Sequence, residues 1–178
     1  ILVGLVGSEM CIRDRNIRYK MKVSSYIKIK KSANEVLNLI KSPNNLEKFH
    51  PYCISNKVDI WDREKSVDYV HYYSGKIYKR KFTEWNKNGY VLDIYNEVKT
   101  ATISWIVKPE KTKSIVIIEA DAILPFNNVF IRYIVFHLYI KFMIRNYLNS
   151  VLKGLKYHLE KDELVIEDQF GKHDWYSA

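Results

Sequence analysis

Residues Asn128–Asp162 read NVFIRYIVFHLYIKFMIRNYLNSVLKGLKYHLEKD, a run without proline and with a single glycine, Gly154. From Phe142 onward Ile144, Leu148, Val151, Leu152, Leu155 and Leu159 recur at helical spacing. Lys141, Arg145, Asn149, Lys153, Lys156 and Glu160 fall mostly between them. This two-faced pattern predicts an amphipathic helix. Upstream, back to about Tyr26, the chain breaks into short segments with strand-like alternation. A long helix with one apolar face needs a surface to lie on, and a twisted antiparallel sheet is what the rest of the chain supplies. The expected class is α+β.

Lys22–Lys31 alternates, with Val23, Ser25, Ile27 and Ile29 on one face, and reads as the first strand. Ser32-Ala-Asn-Glu35 fits a capping box that opens a helix carrying Val36, Leu37 and Ile40. Ser42-Pro43 restarts a second short helix with Ser42 as N-cap, which His50-Pro51 ends. Six strands rich in Val, Ile, Tyr, Trp and Thr follow: Ser55–Trp61, Ser66–Ser74, Lys76–Trp85, Tyr90–Asn96, Ala101–Lys108 and Ser114–Leu124. Their short links, Asn88-Gly89 the clearest hairpin among them, imply antiparallel neighbours. About seven strands, two short helices after the first and one long helix near the end complete the reading. Past the helix, residues 162–178 turn acidic, lose their period and read as a tail.

The chain has 178 residues, 47% of them hydrophobic and 14% aromatic, enough for one domain with a substantial core. Its formal charge of +9 raises nucleic acid or an anionic membrane as partners. The lysines, however, are scattered over strand surfaces rather than gathered in a block. They read as a solvated cationic face, so no nucleic-acid partner is expected, while an anionic membrane surface stays open. Two cysteines, Cys11 and Cys53, form no CxxC and have no histidine at ligand spacing. No metal or cofactor is expected, and a reducing cytoplasm is the expected compartment.

Ile1–Arg15, ILVGLVGSEMCIRDR, differs from the rest. It has neither the basic start nor the small-residue cleavage site of a secretory leader. GSEMCIRDR resembles a spurious segment found at the ends of translated environmental fragments, so residues 1–15 are read as an artefact or disordered segment outside the domain. On that reading Cys53 is the only genuine cysteine.

The order strand, two short helices, six strands, long helix resembles the START-like helix-grip superfamily of polyketide cyclases and lipid-transfer domains. SANEVLNLIKSPNNLEKFHP (32–51) is similar to the family's opening helix pair. YYSGKIYKRKFTEW (72–85) and NYLNSVLKGLKYHLEK (146–161) are similar to its bacterial polyketide-cyclase and lipid-transport branch. The resemblance covers about Val23–Lys161 and implies a ligand-binding domain over residues 22–161. It also implies a curved sheet wrapped around the C-terminal helix, a cavity between them, and His50 and Tyr52 at its mouth.

Charge alternation assigns the sheet faces. With Lys79 and Lys81 in water, Tyr78, Arg80, Phe82 and Glu84 turn inward. The same logic turns Tyr90, Leu92 and Ile94 inward on one strand, and Ile103, Trp105 and Val107 on the next. Ser66–Ser74 is ambiguous, and the face with Tyr69, His71 and Tyr73 is taken as inward. Ser114–Leu124 is ambiguous as well, and its Ala120/Ala122 face would leave room for a ligand. The candidate cavity residues are therefore His50, Tyr52, Tyr69, His71, Tyr73, Tyr78, Arg80, Trp105 and Glu119. Arg80 either grips a ligand carboxylate or phosphate or closes an ion pair, with Glu119 as a partner if it points inward.

No Gly-rich phosphate loop, nucleophile elbow, HExxH or paired-carboxylate motif is present. The expected function is binding or transport of a hydrophobic small molecule, of lipid, isoprenoid or polyketide-like character. One alternative is a cyclase or dehydratase using His71 or a pocket tyrosine as acid and base. Another is a module that docks on a membrane surface or a partner. Ile123–Ile144 is apolar almost all round. Either Pro125–Phe136 forms a separate short segment covering the pocket, or the stretch is a lid or membrane-contacting element with Phe130, Tyr133, Phe136 and Tyr139.

Overall fold

The computed structural model describes residues 21–178; the reading of Ile1–Arg15 falls outside them. The element order is β1 (Lys22–Ile29), α1 (Ala33–Ile40), α2 (Leu46–Phe49), β2 (Cys53–Ile60), β3 (Val67–Tyr72), β4 (Ile77–Asn86), β5 (Gly89–Asn96), β6 (Val98–Glu110) and β7 (Lys113–Ala122). A final helix follows, formed by α3 (Val129–Val135), a π-helical turn (Phe136–Ile140) and α4 (Lys141–Lys161). The seven strands form one antiparallel sheet in the order β1-β7-β6-β5-β4-β3-β2. Six consecutive strands make a meander, and β1 closes the far side by pairing with β7.

The helices start where the side chains dictate. Ser32 caps α1 through a complete capping box with Glu35. The second helix begins later than the sequence suggests. Asn44 takes a left-handed conformation (φ 55°), and Asn45 turns its amide back onto the carbonyls of Leu39 and Ile40. Ser42, expected as an N-cap, instead donates to the Leu39 carbonyl at the end of α1.

Helix α4 lies across the sheet with Leu148, Val151, Leu152 and Leu155 fully buried. They meet Val23 and Ile29 of β1 and Val116 and Ile118 of β7 in one continuous core. Each such side chain contributes roughly 1.5–3 kcal/mol on leaving water. Gly154 allows the helix to approach α2, because a Cβ there would sit 2.0 Å from the Phe49 carbonyl oxygen.

Two expectations from the sequence are revised here. On β4, Phe82 pairs with Leu92 and Glu84 with Val91, so Thr83 is an extra residue and the strand bulges. Beyond the bulge Glu84 is exposed and Trp85 takes the inner side, against Trp61, Phe82 and Tyr90. The N-terminal stretch of the last helix is no separate cover: residues 129–161 run on continuously through the π-turn.

The tail docks. The N–H groups of Val165 and Asp168 donate to the carbonyls of Lys48 and Pro51, and the Ser74 N–H donates to the Tyr176 carbonyl. His173, which looks like a surface residue in sequence, is buried and hydrogen-bonds the Met143 carbonyl.

Candidate ligand-binding cavity

Between the concave face of the sheet and α4 lie two adjoining chambers. The inner one, of about 60 Å³, is bordered by Leu46, His50, Arg80, Trp105 and Val151. The outer one, of about 240 Å³, is bordered by Tyr78, Ala120, Ala122, Ile144 and the tail residues Trp175 and Tyr176. Tyr72, Ile94, Ile103, Tyr147 and Leu148 border both. Together they fall at the lower end of the ~300–1,000 Å³ usual for small-molecule sites. The space exists because β7 presents Ala120 and Ala122 where larger residues would fill it.

The sheet delivers some of the expected residues to this space and withholds others. Tyr78, Arg80 and Trp105 line it, and His50 reaches it from the turn after α2. Tyr52 is buried but packs beneath the tail, its hydroxyl donating to the Gly171 carbonyl. On β3 the expected face is reversed: Asp68, Val70 and Tyr72 are buried inward. Tyr69 and His71 therefore face outward, Tyr69 into a convex-side groove with Lys79 above its ring. Tyr73 follows the end of β3 and borders neither chamber. Glu119 also faces out, 3.6 Å from Lys22. An acid–base role for His71 has no access to the cavity.

The inward turn of Asp68 resolves the charge of Arg80. The two residues are cross-strand partners, and Arg80 is 5% exposed. Its Nε and Nη2 donate to the two carboxylate oxygens of Asp68 at 2.6 and 2.5 Å. Burial opposes the charge on Arg80, but the Asp68 carboxylate holds its pKa above the usual value. The fork that would clasp a ligand carboxylate is already engaged.

Beside this pair runs a chain of neutral donors. The Tyr52 N–H donates to His50 Nδ1 at 3.2 Å, which leaves the ring proton on Nε2, 2.8 Å from the Tyr147 hydroxyl. Tyr147 is in turn 2.9 Å from the Tyr72 hydroxyl. Burial, then the nearby Arg80 charge, lowers the His50 pKa to about 3, so the imidazole is neutral at physiological pH. Burial also raises the pKa of Tyr72 and of Tyr147. None of these groups exchanges protons near neutrality, so the cluster orients rather than titrates. Burial likewise pushes the Cys53 thiol up to about 12. Among the described residues no three His, Cys, Asp or Glu side chains gather as a metal site requires.

Tyr72, Tyr147, Tyr176 and Asp68 are site residues that the sequence reading passes over. Tyr176 packs its ring 4.5 Å from Tyr72 and 4.7 Å from Tyr147, so the tail forms part of the wall. Only Tyr147 carried a clear signal, being in helical phase with Ile144, Leu148 and Val151.

No family model matches this sequence, nor does any curated protein sequence. Solved structures do resemble it in fold. XoxI from Bacillus cereus superimposes with a TM-score of 0.60 at 20% identity, over 78% of this chain and 95% of its own. A START superfamily protein from Mycobacterium smegmatis gives 0.57 at 10% identity, over 79% and 97%. The di-domain ARO/CYC BexL from the BE-7585A biosynthetic pathway gives 0.57 at 14% identity, over 78% of this chain and 46% of BexL. With a curved seven-stranded antiparallel sheet gripping a long C-terminal helix, the chain has the START-like helix-grip fold.

Proposed function

We propose that this protein binds and carries a hydrophobic small molecule in the cavity between the sheet and α4. The observation that carries the reading is the outer chamber, about 240 Å³ walled chiefly by Ile94, Ile103, Ala120, Ala122 and Ile144. An apolar space of this kind, with a few polar groups at one end, is the usual form of a small-molecule site. The proteins of like fold include a START superfamily member and an ARO/CYC protein, which agrees with this reading. Cys53, a free buried thiol, suits a reducing cytoplasm. Native mass spectrometry of the purified protein, with organic extraction, tests the proposal. A near-stoichiometric apolar molecule supports it; an empty protein that takes up no apolar fluorescent probe overturns it.

A second reading concerns how ligand reaches the cavity. Phe130 and Leu138 are 71% and 74% exposed, and Ile123, Ile131 and Phe142 are exposed around them. Phe136 alone of the expected membrane-facing aromatics is buried. No helix among the described residues is long and apolar enough to cross a membrane. The exposed segment, with Lys141 and Arg145 beside it, suits instead the surface of an anionic bilayer. Ile123 and Ile140 belong both to this stretch and to the cavity wall, so a docked protein would open toward the lipid. Cosedimentation with phosphatidylglycerol vesicles, lost at high salt and lost in Phe130→Ser/Leu138→Ser, is the expected result. Equal binding by that variant removes this reading.

A further inference from the structure

From the polar end of the cavity we infer the class of ligand, an inference that rests on the carrier reading: a neutral apolar molecule with one hydrogen-bond acceptor, such as a ketone or ester carbonyl, held by a phenolic O–H of Tyr72 or Tyr147.

The inference follows from counting protons. His50 Nε2, Tyr147 and Tyr72 contribute one N–H and two O–H donors, and His50 Nδ1 is already occupied by the Tyr52 N–H. Two hydrogen bonds join the three groups, Nε2 to Tyr147 and Tyr147 to Tyr72. One phenolic proton is therefore left over whichever way the tyrosine pair is arranged. No protein acceptor for it is found among the described residues. Tyr72 is buried, and both phenols border both chambers, so the spare donor lies at the one place where a ligand oxygen would satisfy it. A buried donor left unmet costs more than a hydrogen bond returns, which makes the site demand an acceptor.

The charge at that end sets what kind of acceptor it is. Arg80 and Asp68 form a closed pair, and the imidazole and both phenols are neutral. A carboxylate or phosphate entering this end would lose its water and find no unpaired cation in return, whereas a carbonyl oxygen loses little. The hydrocarbon part of the ligand would extend past Ile94 and Ile103 into the outer chamber.

Displacement of N-phenyl-1-naphthylamine, a neutral fluorescent probe, tests this with three ten-carbon competitors: 2-decanone, decanoate and decane. The ketone is expected to compete about three- to tenfold better than the alkane, the range set by one hydrogen bond. Decanoate is expected to be the weakest. A single Tyr72→Phe leaves the Tyr147 proton spare and a single Tyr147→Phe leaves that of Tyr72, so each keeps a ketone advantage. In the double variant Tyr72→Phe/Tyr147→Phe, which has no phenol at this end, the ketone-to-alkane ratio falls toward one, and because it is a ratio it holds whatever happens to overall affinity or stability. Probe uptake with decanoate as the best competitor overturns the neutral-acceptor inference while leaving the carrier reading intact. So does a ketone advantage that the double variant retains. A protein that takes up no probe and no ketone overturns both.

Discussion

Asp68 and Arg80 face each other across β3 and β4 as direct cross-strand partners, and the carboxylate takes both the Nε and the Nη2 hydrogens of the guanidinium in the interior of the protein. The pair is worth less as a source of stability than it costs to break. Asp68→Ala would leave the buried cation of Arg80 uncompensated and is expected to destabilise the fold by about 3–5 kcal/mol, read from urea denaturation. The double variant Asp68→Leu/Arg80→Met, which removes both charges, should recover most of that loss. A double variant as unstable as the single one contradicts this account.

Stability should fall in acid through His50. Its folded-state pKa lies near 3, below the unfolded value of about 6.5. The folded state therefore binds fewer protons between those values. Stability is fully present above pH 6.5 and drops as the pH falls toward 3, by about 1.4 kcal/mol per unit for this one group. Burial lowers His173 as well, in the same direction. Urea midpoints at pH 7, 6, 5 and 4 should show a shallower slope in His50→Gln than in the parent protein. Equal slopes rule His50 out as the source.

The close crossing of α4 and α2 depends on Gly154. A methyl group there meets the Phe49 carbonyl oxygen at 2.0 Å, so the helix has to shift. Gly154→Ala would raise helix propensity but overpack the contact, for a net loss of about 1–3 kcal/mol by thermal or urea unfolding. A variant that gains stability shows that the two helices are free to part.

Tyr176 closes the cavity wall from the tail, against Tyr72 and Tyr147. Tyr176→Ala should accelerate uptake of an apolar probe several-fold and cost about 1–3 kcal/mol of stability. Stopped-flow mixing with N-phenyl-1-naphthylamine gives the rate, and an unchanged rate means that ligand enters elsewhere.

Residues on the convex face provide the contrasting result. His71→Ala and Tyr69→Phe lie outside the cavity and should leave probe affinity within twofold of the parent protein. A tenfold loss in either places the site on the wrong side of the sheet.

The fold was legible because its largest signals are periodic and local: the apolar stripe of α4, the capping box at Ser32, and the alternation of β5 and β6. The site was only partly so. Arg80 could be turned inward from its lysine neighbours, but its partner could not be read: a two-residue Ser74-Gly75 link would set Tyr69 opposite it, whereas the observed turn takes in Tyr73 as well, with the Tyr72 N–H on the Lys76 carbonyl, and sets Asp68 there. Cross-strand partners share a face, so that one extra turn residue reverses β3 and brings Asp68 and Tyr72 inward in place of Tyr69 and His71. Glu84 is a different kind of miss, because the Thr83 bulge that turns it outward leaves no mark in composition. The tail was illegible for a third reason. Its docking depends on backbone hydrogen bonds to Lys48 and Pro51 and on rings spread among charged residues, with no period to detect.

The strand order also bears on how the chain reaches this fold. Strands β2 to β7 meet their neighbours through short links, whereas β1 must bring Lys22 to Asp121 and Ile29 to Ser114 across almost the whole domain. Closing so long a loop is entropically the most expensive step in the sheet, so β1 is expected to anneal last. Until it does, β7 offers the run Ser114-Ile-Val-Ile-Ile118 as an open edge able to recruit a second chain. Lys113 and Glu119, the charges at either end of that run, then act as guards against aggregation during folding.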